Sequence, residues 1–184
     1  MPRAFDVPER IRHETVAGIL PFGGRVTIDE LASRYGVSHM PVREALRELR
    51  GEGLVVIEPN RGAHIRPVDR KFVSNLFETR SALEIMLSRR AADRFRAADA
   101  AELERIEDEL ESEIARGNWD AVLASNRRFH QLVNRVADNP DAVFLVDRHW
   151  LLIAALWQRY GYGSERFAGV ASDHRHLIKC FRSN

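Results

Sequence analysis

The chain has 184 residues, with 28 lysines and arginines against 27 acids, a net charge of +1 and 45% hydrophobic residues. That is apolar material for one domain or two small ones, and too little net charge for a general polycation, so any nucleic-acid contact has to come from locally placed arginines. A single cysteine, Cys180, excludes an intrachain disulfide and fits a reducing cytoplasm, no apolar run reaches membrane-spanning length, and the N-terminus lacks a signal-peptide core.

In chain order, Val7–Leu20 is expected to form a first helix carrying Ile11, Val16, Ile19 and Leu20. Thr27 followed by Glu30 has the spacing of a capping box, and Ile28, Leu31, Ala32 and Tyr35 form one face of a helix over Ile28–Tyr35. Gly36 supplies a position tolerant of positive φ, as a sharp turn between helices requires. Ser38 is a second N-cap candidate, and Pro41 falls in a first turn, where its missing N–H costs little. Val42, Ala45, Leu46 and Leu49 make the buried stripe of a helix over about Ser38–Arg50, ended by Gly51 and Gly53. Leu54–Ile57 and Ala63–Arg66 are β candidates separated by the turn-rich Glu58-Pro59-Asn60-Arg61-Gly62. Two short helices, a Gly turn and a hairpin are the layout of a winged helix-turn-helix, which is expected to occupy residues 1–68.

Past Pro67-Val68-Asp69 the β-type signals fade. Asp69 is expected to cap Phe72–Phe95, Asp99 to cap Ala101–Ala115, and Asn118 to cap Asp120–Ala137, which stops at Asp138-Asn139-Pro140. A fourth helix is expected over about Ala142–Tyr160 and a fifth from about Ser164 onward, after Gly161-Tyr162-Gly163. The fold class is therefore mainly α: a winged helix-turn-helix followed by an all-helical bundle over residues 69–184.

A helix like Ser38–Arg50 enters the major groove of double-stranded DNA with its N-terminal residues against base edges. Ser38 and His39 are placed nearest the bases, with Arg43 one turn on, where a bidentate guanidinium favours guanine. Arg47 meets a phosphate or pairs with Glu44 or Glu48, and Arg50 reads as a solvated surface charge. Arg61 and Gly62 at the wing tip suit the minor groove or the backbone.

The head resembles the DNA-binding domain of the GntR superfamily of bacterial transcription regulators. The residues that carry the likeness are Glu30-Leu31-Ala32, Gly36-Val37-Ser38, Pro41-Val42-Arg43-Glu44-Ala45-Leu46, Glu52-Gly53-Leu54-Val55 and Pro59-Asn60-Arg61-Gly62. The resemblance implies operator contacts by Ser38, His39, Arg43, Arg61 and Gly62. Asp29 stands where many members have a basic residue, which removes one contact. The second half resembles the ligand-binding domain of the FadR-like branch, abbreviated FCD, through Leu76-Phe77-Glu78-Thr79-Arg80-Ser81-Ala82-Leu83-Glu84, Asn126-Arg127-Arg128-Phe129-His130-Gln131 and Asp173-His174-Arg175-His176.

That second resemblance implies a homodimer, a small organic acid effector and a divalent metal such as zinc, nickel or manganese. The matching ligands are Asn126, His130 and His174, and the effector contacts are Arg80, Glu84 and the same three residues. Positions i and i+4, such as Asn126 and His130, share a helix face and can share an ion. Asn126 replaces a carboxylate, and the family's last histidine falls beyond Asn184, so a weaker metal site and a missing final helix are expected. Arg80 and Glu84 also have a plainer reading, a helix-surface ion pair. His13, His64, His149 and His176 read as surface or hydrogen-bonded residues, and Trp119, Trp150 and Trp157 as core or dimer-interface aromatics. No Ser-His-Asp or Cys-His arrangement, HExxH or phosphate-cradling Gly loop occurs, so an enzyme is not expected. The expected function is a dimeric repressor that reads a short palindrome and is released by its effector. The alternative is a DNA-binding regulator whose pocket senses nothing.

Overall fold

The computed structural model describes residues 6–58, 62–161 and 164–183. Helix α1 (Val7–Val16) starts at Asp6, whose carboxylate accepts the Glu9 N–H at 3.2 Å and satisfies one of the free donors of the first turn. It stops short of the expected Leu20. The chain turns at Gly18, and the Leu20 N–H bonds back to the Glu14 carbonyl. That turn returns Leu20 to the core, half-buries Val16 and leaves Ile19 55% exposed.

Helix α2 (Ile28–Tyr35) has the expected capping box, with the Thr27 hydroxyl accepting the Glu30 N–H and the Glu30 carboxylate accepting the Thr27 N–H, each at 3.2 Å. Gly36 closes it at φ +66°, where a substituted side chain would be strained although no atom stands within 4 Å of the missing Cβ. Helix α3 (His39–Glu52) follows. Ser38 holds its cap position in extended backbone without a side-chain cap bond, and Gly51 continues the helix, which ends only at Gly53.

Strands β1 (Arg25–Val26), β2 (Val55–Glu58) and β3 (Gly62–Ile65) form one antiparallel sheet in the order β1-β3-β2. Arg25 and Val56 both register with His64 of the central strand. No periodicity announces β1, because two residues are too few to alternate. Pro59, Asn60 and Arg61 lie outside the described residues.

The remaining elements are helices α4 (Arg70–Ala92), α5 (Ala97–Arg116), α6 (Trp119–Ala137), α7 (Pro140–Arg148), α8 (Trp150–Tyr160) and α9 (Ser164–Arg182). Asp69 accepts the Phe72 N–H at 2.7 Å, as expected of a cap. Asp99 lies inside α5 rather than before it and accepts the Arg96 N–H at 3.1 Å. The fourth predicted helix is two, α7 and α8, interrupted at His149.

Two compact units result: residues up to Leu76 together with Arg148–Gly161, and Phe77–Asp147 together with the segment from residue 162 onward. In the first, Ile11, Leu31, Val42, Leu49, Leu54 and Ile65 make a core that takes in Leu152, Ile153 and Leu156 of α8. Each such buried side chain contributes about 1.5–3 kcal/mol, which accounts for α8 belonging with the winged head. In the second, Leu87, Leu103, Phe129, Leu132, Ala142 and Ile178 form the core of a helical bundle. The α7/α8 break separates side chains bound for two different cores.

Candidate nucleic-acid interface and helical pocket

The recognition helix buries Val42, Ala45, Leu46 and Leu49, which leaves Ser38, His39, Met40, Arg43 and Arg47 exposed on its other side. His39 is not bare. Its Nε2 lies 3.1 Å from Asp29, the acid that stands where a basic residue was the familiar choice. Met40 is 61% exposed, an apolar side chain beside the expected base-reading positions. Gly62 sits at φ +82° where the described part of the wing resumes, and Arg61 lies outside the described residues.

The alternative given for Arg47, a pairing with Glu44 or Glu48, is not seen among the described residues. Glu48 instead accepts from Arg12 of α1 at 2.5 Å, and the same guanidinium reaches Glu52 at 3.1 Å through Nε and Glu9 at 3.0 Å. Arg12 is thereby held well above the usual arginine range, first of all by Glu52. Its side chain is only 20% exposed. Arg12→Ala is expected to lower the stability of the head by about 1–3 kcal/mol, the worth of charge-assisted bonds at a partly buried site, read as a fall in the urea midpoint at unchanged slope.

Between α3 and the sheet lies a cleft of about 510 Å³, with Arg25, Arg43, Arg47 and Arg50 among its lining and an apolar floor that includes Val26, Leu46 and Ala63. Arg50, expected as an ordinary solvated charge, lines this cleft too. Among the described residues none of these four guanidiniums makes a hydrogen bond or ion pair, whereas Arg12, Arg34, Arg105, Arg128 and Arg175 are all tied to carboxylates.

In the helical unit Arg80 is 4% exposed. Its Nη1 donates to the Val146 carbonyl at 2.6 Å and its Nη2 pairs with Glu84, so the plain i, i+4 ion pair is present, with Arg80 buried and Glu84 half-buried. Asn126 and His174 are buried. The His130 and His174 rings meet edge to face at 5.4 Å, and His174 stacks on Phe129 at 3.8 Å. Burial, then the neighbouring His174 and Arg80, push His130 down to about 3, so it is a neutral imidazole at pH 7.

Sequence reasoning missed Glu107. It is fully buried on α5, its Oε2 lies 2.7 Å from His174 Nδ1, and its Oε1 has no hydrogen-bond partner among the described residues. The Glu107 contact occupies Nδ1, and Nε2 is the nitrogen left for a ligand. The available signal was position: Glu107 falls on the face that Leu103, Ile106 and Leu110 define. No group of three His, Cys, Asp or Glu side chains able to hold a metal occurs among the described residues. His130 and His174 bring two imidazoles together, and Asn126 lies one helical turn before His130 on α6, a set that fits a weak site only.

A recognition helix and an antiparallel β-wing, with arginines between them that are unpaired among the described residues, define a winged helix-turn-helix module joined to a helical unit. Residues 4–65 match the description "Bacterial regulatory proteins, gntR family", and residues 75–184 match the FCD domain. The chain belongs to the GntR family of bacterial regulatory proteins and carries an FCD domain behind its head. It is 30% identical over 128 residues to the HTH-type transcriptional repressor RspR of Escherichia coli strain K12, covering 70% of this chain and 56% of that one. It is 30% identical over 158 residues to the HTH-type transcriptional regulator YdhC of Bacillus subtilis strain 168, covering 85% and 70%. The chain thus spans a little over half the length of RspR. The solved structure of Escherichia coli McbR/YncC shares the fold with a TM-score of 0.68 at 20% identity, covering 96% of this chain and 88% of that one. The family and these relatives are transcriptional regulators rather than enzymes. No helix among the described residues is long and apolar enough to cross a membrane.

Proposed function

We propose that this chain is a cytoplasmic, DNA-binding transcription regulator, a repressor that reads a short palindromic operator as a homodimer. The observation that carries the reading is the exposed side of α3: Ser38, His39, Arg43 and Arg47 face solvent, and both arginines are unpaired among the described residues. One head covers one half-site, so a two-fold operator calls for two copies. The helical unit leaves Ile85 52%, Phe144 67% and Leu145 44% exposed, apolar surface that a second copy would cover. Arg61 and Gly62 belong to the proposal as wing contacts to the minor groove or the backbone.

A small organic acid near Arg80, Glu84, Asn126, His130 and His174 would release the protein from DNA. It does so only by binding the non-reading arrangement of heads more tightly than the reading one. A zinc, nickel or manganese ion would be held weakly by the imidazoles of His130 and His174 and the amide oxygen of Asn126. When bound, it supplies an open coordination position for the effector's carboxylate. A second reading, in which the pocket senses nothing, is favoured by Arg80 already being engaged by Glu84 and the Val146 carbonyl.

Selection of bound duplexes from a random-sequence pool tests the function. Enrichment of a two-fold-symmetric motif is expected, and recovery of the unselected pool contradicts it. Thermal melting with a panel of small carboxylates, with and without zinc, then separates the two pocket readings, since only a working sensor shifts its melting temperature.

A further inference from the structure

The cleft between α3 and the sheet contains more positive charge than base reading requires. We infer that it is a saddle for one sugar–phosphate strand of duplex DNA, in which Arg25 from β1 and Arg47 and Arg50 from α3 hold backbone phosphates from opposite walls. The inference rests on the DNA-reading function proposed above and adds Arg25 and Arg50 to its machinery.

The argument begins with geometry. A helix in the major groove and a wing at the neighbouring minor groove have the backbone strand that separates the two grooves running between them. In this protein that space is the cleft of about 510 Å³. Its walls come from different segments: Arg25 precedes α2, and Arg47 and Arg50 lie one helical turn apart on α3.

Charge points the same way. Guanidiniums gathered around one cleft repel each other in the free protein, and an apolar floor weakens solvent screening. Two acids that share α3 with Arg47 and Arg50 are held elsewhere, because Glu48 and Glu52 are bound by Arg12. What remains is a cleft whose four guanidiniums hold no carboxylate among the described residues, and a phosphodiester is the anion that a groove-reading module meets at this place. Gly62 sets the wing backbone beside Arg25. A Cβ there would stand 3.8 Å from the Arg25 Nε, at a backbone conformation that side chains rarely adopt.

The test is the salt dependence of binding by the full chain to two labelled duplexes, one enriched by selection and one of random sequence. Arg25→Ala and Arg50→Ala are each expected to reduce the slope of log affinity against log salt by about 0.9, the signature of one lost phosphate contact. Affinity should fall by the same factor on both duplexes, with Arg25→Lys restoring most of the slope and the melting temperature of each variant unchanged or higher. An unchanged slope in both alanine variants overturns the saddle and leaves the DNA-reading function standing. Loss confined to the enriched duplex also overturns it, because these arginines would then read bases. If the unaltered chain binds neither duplex at any salt concentration, the function itself fails, and the saddle with it.

Discussion

Replacement of Phe129 by alanine is expected to destabilise the helical unit by about 3–5 kcal/mol, the usual cost of emptying a large aromatic site in a packed core. Phe129 is fully buried, stacks on the His174 ring at 3.8 Å and meets the His130 ring edge-on at 5.9 Å. Its removal opens a cavity against the two imidazoles proposed to face the effector, so pocket and core fail together. Urea unfolding followed by circular dichroism measures the loss. Tyr160→Ala is the control: that ring is 66% exposed and should cost well under about 1 kcal/mol. Equal losses in the two variants would mean that α6 does not pack as described.

Arg43→Ala is expected to cost roughly 1–3 kcal/mol of binding to the enriched duplex and to relax the preference for guanine at one position in each half-site. The reason is the shape of the donor. A guanidinium offers two parallel N–H bonds to guanine O6 and N7, and Arg43 lies on the exposed side of α3 just inside its N-terminus. Lysine keeps the charge and loses the fork, so Arg43→Lys should recover non-specific affinity without recovering the preference. This separates Arg43 from Arg25 and Arg50, whose losses should be blind to sequence. Competition with duplexes varied at a single base pair reads both outcomes. An Arg43→Ala protein with unchanged discrimination would remove α3 from the major groove.

What was legible in the sequence was local. The Thr27–Glu30 capping box, the turn at Gly36 and the stripe of Val42, Ala45, Leu46 and Leu49 each depend on residues within a turn or two of one another, and each appears as expected. What was not legible depends on distant partners. β1 exists because Arg25 and Val26 pair with His64 and Ala63 of β3. The interruption at His149 has no glycine or proline to mark it, and it separates side chains that enter different cores. Arg47 makes no ion pair among the described residues, and one of its two candidate acids, Glu48, is taken by Arg12 on another helix, which local spacing cannot reveal.

The pocket divides along the same line. The turn-spaced pairs Asn126 with His130 and Arg80 with Glu84 were visible as spacings. Their environment was not: Arg80 also bonds to the Val146 carbonyl, and His174 faces the buried Glu107. Glu107 was hidden because a carboxylate within a helical charge run reads as solvated, although it occupies an apolar position of α5.

The central claim is that α3 and the wing read a specific duplex, and fluorescence anisotropy with the enriched duplex and a scrambled version of it, at about 0.15 M salt, tests that claim most directly. Saturable binding to the enriched duplex, tighter by on the order of 10³-fold or more than to the scrambled one, is the predicted result. Equal affinity for the two duplexes, or binding to neither, would contradict it.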